Sequence, residues 1–392
     1  AGQALAHDLR ALCALPHYAS SAMDGWAVAG PGPWRLRPAG SEAPGAARPA
    51  PAPSGSPSTS SGHPSVDVAP LRSGEAASIV TGGVIPTGAR AVLRAERGHE
   101  DEGLLLATGP DANEPRDGQH VRPPGGEADA GELLFRAGTV LSAPHIAVAA
   151  GCGHDALEVV RRARVELLLT GSEVVTSGIP AAGQVRDSFG PTLPAVLAAL
   201  GAEVVASHRV GDDRGALTEH LAAEPAPPPA PAAPRASAEI VVTTGGTGSS
   251  GADHVRPALR AAGAELLVDG IAVRPGGPAL LARMPDGRLV VALPGNPLAA
   301  FLALLTLAQP LLAAMQGRPM PALRDIRTAV DLPAATAPTT LRPYRAHHGA
   351  AEPTAWHGAG MLRGLAEADG VLVVPGRGAP AGTVLEVLPL PW

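Results

Sequence analysis

Lysine is absent from this chain, and all 30 basic residues are arginines. A guanidinium keeps its charge at any working pH, so Schiff-base and amine-base chemistry are excluded. Aromatic residues make up only 2% of the sequence, so whatever core forms must pack through Val, Leu and Ala. Cysteine is nearly missing: Cys13 and Cys152 supply neither a zinc ligand set nor a disulfide framework. That scarcity fits a reducing compartment, and a cytoplasmic location is expected. The net charge of −6 gives no basic surface, so no nucleic-acid partner is expected. The most apolar stretch, Phe301 to Met315, is shorter than a membrane span and is interrupted by Gln309 and Pro310, so no membrane partner is expected either. No segment reads as a signal peptide. Walker-type phosphate loops, nucleophile elbows and paired-histidine zinc motifs are also absent.

What is present is Gly, Pro and Val in a repeated order. A chain of 392 residues favours several domains. Asp8 to Tyr18 is expected to form a short helix ending near Pro16, and Asp24-Gly25 to turn into a strand at Trp26. Residues 39–65 collapse to Pro, Ala, Gly and Ser, a composition too poor in apolar surface to order, and a disordered loop is expected there. Short β-runs from Ala76 to Val121 suggest a small all-β module. Residues 122–131 form a Gly/Pro loop carrying Glu127 and Asp129, followed by a strand at residues 133–135 and a helix from Ala143.

From Arg164 the pattern alternates strand and helix, the signature of a parallel sheet. Strands are expected at residues 165–169, from Val204 and at residues 240–242, with a Pro/Ala linker at residues 222–236. Met284-Pro285-Asp286-Gly287 reads as a hairpin turn, and one helix is expected from Leu298 to Met315. Beyond Pro321, short β-like segments separated by Gly and Pro suggest a small barrel or sandwich.

The strand ends are where the polar residues collect. They supply Thr170 and Glu173, Asp212 and Asp213, residues 244–251, Arg274, and Pro294 to Asn296. In an open parallel sheet, ligands bind beyond the carboxyl ends of the strands. Gly-rich loops and arginine suit oxyanions, whereas carboxylates suit a hard cation such as Mg2+. Phosphate with magnesium is the simplest ligand wanting both. Two assignments stay open at this level. Asp187 reads equally as a helix cap or a ligand, and one of Asp212 and Asp213 reads as the cap of the following helix.

These residues, in this order, resemble the MoeA family of molybdopterin molybdenumtransferases, which includes the gephyrin E domain. The resemblance rests on Ser21-Ala22-Met23-Asp24-Gly25-Trp26-Ala27, Thr81-Gly82 with Pro86 and Gly88, residues 122–131, and Thr170-Gly171-Ser172-Glu173. It continues through Asp187-Ser188, Asp212-Asp213, Gly245-Gly246 with Asp253, Arg274-Pro275-Gly276 and Leu293-Pro294-Gly295-Asn296-Pro297. It implies an α/β and β multidomain fold: a central doubly wound MogA-like α/β domain, a small β-module, a connecting α+β domain and a C-terminal β-barrel. The implied boundaries are residues 1–24 with 119–163 for the connecting and dimerisation domain, 25–118 for the β-module, 164–318 for the α/β domain and 319–392 for the barrel.

The implied reaction joins molybdate to adenylylated molybdopterin with Mg2+ and releases AMP. By the same resemblance Glu173, Asp213 and Asp253 position the metal, while Asp24 and Thr81 reach in from the facing subunit of a homodimer. Glu127, Asp187, Gly245, Gly246, Thr247, Gly248, Ser249, Arg274, Pro294, Asn296 and Pro297 would hold the substrates. A molybdopterin adenylyltransferase and molybdoenzyme acceptors are the further partners implied. The sequence also departs from the family: Gly277 stands where a second cation is expected, and Ala359 where a serine is. An impaired molybdopterin-binding scaffold therefore stays open. So does adenylyl transfer, because the Gly246-Thr247-Gly248 loop is similar to that of the MogA-type domain.

Overall fold

The computed structural model describes residues 2–37, 69–108, 114–223, 238–248 and 253–392. The loop expected at residues 39–65, most of the Pro/Ala linker, and Ser249 lie outside the described residues. The chain divides into two compact units, one of His7–Arg136 with Ser142–Leu157, the other of Ala1–Ala6, Ala137–Leu141 and Glu158–Trp392.

In the first of these, β1 (Leu9–Arg10) pairs with β10 (Leu133–Phe135), and β2 (Ser20–Ser21) with β9 (Val121–Arg122). The remaining strands are β3 (Gly25–Val28), β4 (Trp34–Leu36), β5 (Glu75–Ile79), β6 (Ala91–Arg94), β7 (Gly98–Asp101) and β8 (Leu104–Ala107). They make one sheet in the order β6-β3-β5-β4-β8-β7. Its residues alternate as a strand period of two demands. Ala27, Ala77 and Val92 pack on one face, and their neighbours Val28, Ala76 and Leu93 on the other with Trp34. Helix α1 (Ala143–Gly151) follows, started by a capping box between Ser142 and His145. The helix expected over Asp8 to Tyr18 does not form. Ala11 and Leu15 instead donate their N–H groups to Glu132 and Ala128 at 2.9 and 2.8 Å, so strand-like tertiary pairing overrides the local periodicity.

The second unit is built on a six-stranded sheet of β11 (Ala163–Thr170), β14 (Ala202–Val210), β15 (Ile240–Thr244), β16 (Glu265–Asp269), β18 (Leu280–Arg283) and β19 (Leu289–Leu293). A small parallel pair, β12 (Val174–Val175) and β13 (Val185–Arg186), stands beyond β11. The sheet order is β14-β11-β15-β19-β18-β16, parallel from β14 to β19 and antiparallel through the β18–β19 hairpin. The expected turn at residues 284–287 makes that hairpin, with Met284 N–H donating to Arg288 at 2.8 Å.

Both faces of this sheet are covered. Leu167, Leu169, Val242 and Val291 meet α2 (Leu193–Ala199) and the helix after β19 on one side. Leu168, Val241 and Val290 meet α3 (Arg214–Ala222) and α4 (Val255–Ala261) on the other. Leu167 has no solvent exposure at the centre of the larger cluster. Leu167→Ala is therefore expected to destabilise this unit by about 2–5 kcal/mol, read from urea unfolding followed by circular dichroism.

The helix after β19 runs unbroken from Pro297 to Met315 as α5 (Pro297–Ala303), a π-helical turn (Leu304–Ala308) and α6 (Gln309–Met315). This is the single helix expected from Leu298 to Met315, and Gln309 and Pro310 interrupt its apolar run without breaking it. Gln309 N–H reaches back five residues to Leu304 O, and such a π turn shifts the ladder so that the donor missing from Pro310 is absorbed. With 19 residues and a mean hydropathy of 2.0 the helix has the length and composition of a membrane span. Its apolar residues from Leu298 to Leu305 belong to the core against the sheet.

The chain ends in a barrel of β20 (Arg324–Thr328), β21 (Thr339–His347), β22 (Ala350–Pro353), β23 (Gly370–Pro375) and β24 (Val384–Pro389), with the short helix α7 (Arg363–Ala366) between β22 and β23. Pairing of β21 with β23 closes the five strands, which removes exposed edges. A further two-residue strand, β17 (Val273–Arg274), adds in parallel to β21.

Candidate active site

The sheet connections give the cleft its place. β11 leads to β14 on one side, whereas β15 leads toward β16 on the other, so a topological switch point falls between β11 and β15. A crevice opens at the carboxyl ends of such strands. Here it is a cleft of about 830 Å³, walled by the ends of β11, β15 and β19, the β12–β13 pair, and Gly360 and Leu362 before α7.

At the end of β15 the chain turns through Gly245 and Gly246, at φ +84° and +62°, a region L side chains rarely adopt. A Cβ at Gly245 would lie 2.7 Å from Thr170 Oγ1, and one at Gly295 would lie 3.3 Å from Gly245 Cα. The two loops thus approach backbone to backbone. Gly245 N–H donates to Leu293 O at 2.9 Å, and Gly248 N–H donates to Asp253 Oδ1 at 2.9 Å. Gly246 and Thr247 N–H have no acceptor among the described residues.

The opposite wall begins where β11 ends. Thr170 donates its hydroxyl to Thr244 O, tying β11 to β15. Ser172 and Asp212 hold each other reciprocally: Ser172 N–H donates to Asp212 Oδ2 at 2.9 Å, and Asp212 N–H donates to Ser172 Oγ at 3.0 Å. Glu173 is exposed beside them, and its carbonyl accepts from Val185 N–H at 3.0 Å, which docks β13 on the rim. Asp187 accepts from Phe189 and Gly190 N–H, each at 3.0 Å, and forms an ion pair with Arg209. Its carboxylate is consumed by shaping the wall, so it is an anchor of the loop rather than the cap of α2. Altogether Glu173, Asp187, Asp212 and Asp253 line this cleft together with two arginines, Arg186 and Arg209.

Most of the residues singled out from the sequence converge here: Glu173, Asp187, Gly245 to Gly248, Asp253, Pro294, Asn296 and Pro297 all line the cleft. Two do not. Asp213 caps α3 through Oδ1, which accepts from Gly215 N–H at 2.6 Å and Ala216 N–H at 3.1 Å, and its neighbour Asp212 takes the place in the cleft. Arg274 is drawn away because β17 pairs with β21, opposite Thr340, leaving Arg186 and Arg209 as the arginines of the cleft. Arg186 and Arg209 carry no motif that sequence reasoning could have found. The signal for Asp213 was there: an aspartate two residues before Gly215 at a helix start is what an N-cap looks like.

Asp24, Thr81 and Glu127 lie in the other compact unit. There Asp24 Oδ1 accepts from Thr81 N–H at 2.6 Å and from Thr81 Oγ1 at 2.8 Å, and these bonds hold its carboxyl below the usual aspartate range. Gly25 follows at φ +149°, where a Cβ would strike Leu93 O. Glu127 is exposed, its N–H donating to Leu15 O at 2.8 Å. Because the folded pKa of Asp24 is lowered, the Asp24–Thr81 contact persists above the ordinary aspartate pKa of 3.8 and is lost only as pH falls through the lowered value. Thr81→Val removes one of the two donors, and carbon NMR of the carboxyl is expected to show Asp24 titrating closer to 3.8.

A doubly wound sheet with a polar cleft at its switch point, a closed five-stranded barrel and a separate β-module define a multidomain α/β protein. Family models for the MoeA N-terminal region (domain I and II), a probable molybdopterin binding domain and the MoeA C-terminal region (domain IV) match residues 1–153, 166–314 and 325–390. The chain is 30% identical over 407 residues to molybdopterin molybdenumtransferase 2 of Mycobacterium tuberculosis, covering 98% of this chain and 92% of that one. It is also 30% identical to the molybdopterin molybdenumtransferase of a Nostoc species, covering 81% and 67%. Among solved structures, a molybdopterin biosynthesis MoeA protein from Pyrococcus horikoshii superimposes with a TM-score of 0.73 at 24% identity, covering 99% of this chain and 92% of its own, and shows the same fold. The chain belongs to the molybdopterin molybdenumtransferase family and is a transferase of molybdenum cofactor biosynthesis.

Proposed function

We propose that this chain joins molybdate to adenylylated molybdopterin within the cleft and releases AMP, with Mg2+ taking part. The observation that carries the reading is the pairing, in one cleft, of uncommitted N–H groups at Gly246 and Thr247 with an excess of carboxylate. N–H groups of that kind receive phosphate oxygens, and a volume of about 830 Å³ suits a nucleotide-sized ligand. Four carboxylates against two guanidiniums would repel such a ligand unless a cation came with it.

The donor set fits magnesium of a particular kind. Glu173, Asp212 and Asp253 offer hard oxygens, yet among the described residues the cleft carboxylates do not converge as a three-ligand group. That is how Mg2+ is usually held, by one or two carboxylates, with water and substrate phosphates completing the shell. When bound, the ion neutralises phosphate charge. The protein's own part is orientation: Gly246 and Thr247 N–H hold the phosphates, Arg186 offers a charge to the molybdate oxyanion, and Asp187 fixes Arg209 in the wall.

The working unit in this reading is a homodimer in which the partner's β-module presents its Asp24–Thr81 turn to the cleft. A cytosolic adenylyltransferase supplies the substrate, and molybdoenzyme acceptors take the product. Mixing Asp24→Asn protein with Asp212→Asn protein tests the dimer, because mixed dimers contain one site with neither change. Recovery of activity on mixing is expected, and its absence would contradict the shared site.

The reaction itself is tested by incubating the full chain with adenylylated molybdopterin, molybdate and Mg2+ and following AMP chromatographically. Molybdate-dependent AMP is expected. Retained substrate without AMP would make the chain a binding scaffold, and consumption of ATP with free molybdopterin would make it an adenylyltransferase.

A further inference from the structure

A second cluster of ligand-type side chains lies on the α3 side of the sheet, and none of its members lines the cleft. Glu166 shares a face of β11 with the buried Leu168, and the parallel register places His208 of β14 opposite Leu168. Helix α3 packs on that face through Leu217 and Leu221, which brings His220 down onto the same spot. Glu166 Oε1 and His220 Nε2 are 2.6 Å apart, Glu166 Oε1 and His208 Nε2 3.7 Å, and the three ligand atoms all lie within 4.8 Å of one another. The imidazole centroids stand 5.0 Å apart.

The sheet edge shapes this site. β14 is the outermost strand, so His208 keeps half its side chain in solvent while Glu166 is 14% exposed. A metal ion and a completing water can therefore reach the cluster without opening the core. Two imidazoles and a carboxylate form the donor set of a borderline-soft divalent ion, with one position left for water. Bonds of about 2.0–2.1 Å in a tetrahedron put neighbouring ligand atoms about 3.3 Å apart. The two distances from Glu166 Oε1 bracket that value, so modest side-chain movement would complete the shell.

We propose that Glu166, His208 and His220 bind a zinc(II)-class transition metal, independently of the reaction in the cleft. The ion would fasten α3 to β11 and β14. Helix α3 is capped by Asp213, the immediate neighbour of the cleft residue Asp212, so the site would brace one wall of the cleft from outside.

The test uses the full chain, purified without a polyhistidine tag and stripped by a chelator, and titrated with Co2+ as a spectroscopic probe. Visible ligand-field bands of a four-coordinate ion, saturating at one equivalent and abolished by Zn2+, are expected. His208→Gln, His220→Gln and Glu166→Gln should each weaken binding by about tenfold or more. Circular dichroism confirms that each variant is folded, and Zn2+ should raise the melting temperature of the parent chain alone. Absent bands, or equal affinity in folded variants, would overturn the site and leave a hydrogen-bonded Glu–His cluster.

Discussion

Asp212→Asn is expected to lower AMP release by about 10²–10³-fold while leaving the fold intact. Asn keeps an oxygen to accept from Ser172 N–H, so the reciprocal hold between the two strand ends survives and only the charge is removed. Asp213→Ala should do the opposite. It strips the cap from α3, where Oδ1 satisfies two backbone donors, at a cost of about 0.5–2 kcal/mol of stability, and it leaves the carboxylates that line the cleft in place. The pair is measured by AMP release per folded protein together with urea midpoints. Equal effects on activity from the two variants would contradict the division of roles between these adjacent residues.

Gly245→Val is expected to lower turnover by about 10²-fold or more and to destabilise the unit. Two costs add. A φ of +84° strains any L residue by roughly 1–2 kcal/mol, and more for a β-branched one. The new side chain would also meet Thr170 Oγ1 within 2.7 Å of its Cβ, and Thr170 cannot simply swing away because it holds Thr244 O. Gly287→Ala is the control, since Gly287 has φ +90° with nothing within 4 Å of the added Cβ. It should carry the strain without the loss of activity. If both variants lose activity alike, the tight turn matters only for stability.

How much of this was readable beforehand follows from the range of the forces involved. The strand–loop grammar from Glu239 to Pro297 was legible because it is local: apolar runs set the strands, and Gly and Pro at their ends set the loops. Strands β15, β16, β18 and β19 and the cleft loops after β15 and β19 followed from it. That Arg274 lies outside the lining of the cleft could not be read, because a two-residue strand pairs with Thr339 and Thr340, far along the chain, and no local pattern announces that pairing. The choice between Asp212 and Asp213 as the cap stayed open because a carboxylate before a helix serves a cap and a ligand equally well until the hydrogen bonds are seen. The helix expected near the N-terminus failed because residues 11–15 find partners at residues 128–132, again across distance. Glu166, His208 and His220 escaped notice for the same reason: only the β11–β14 register and the seating of α3 bring them together.

The central claim is that the ligand sits at the carboxyl ends of β11, β15 and β19, and hydrogen–deuterium exchange of the full chain with and without adenylylated molybdopterin tests it most directly. Protection is expected in peptides covering residues 170–175, 185–190, 244–248 and 293–297, four of the segments that wall the cleft. Unchanged exchange in those segments, with protection appearing elsewhere in the chain, would contradict the account.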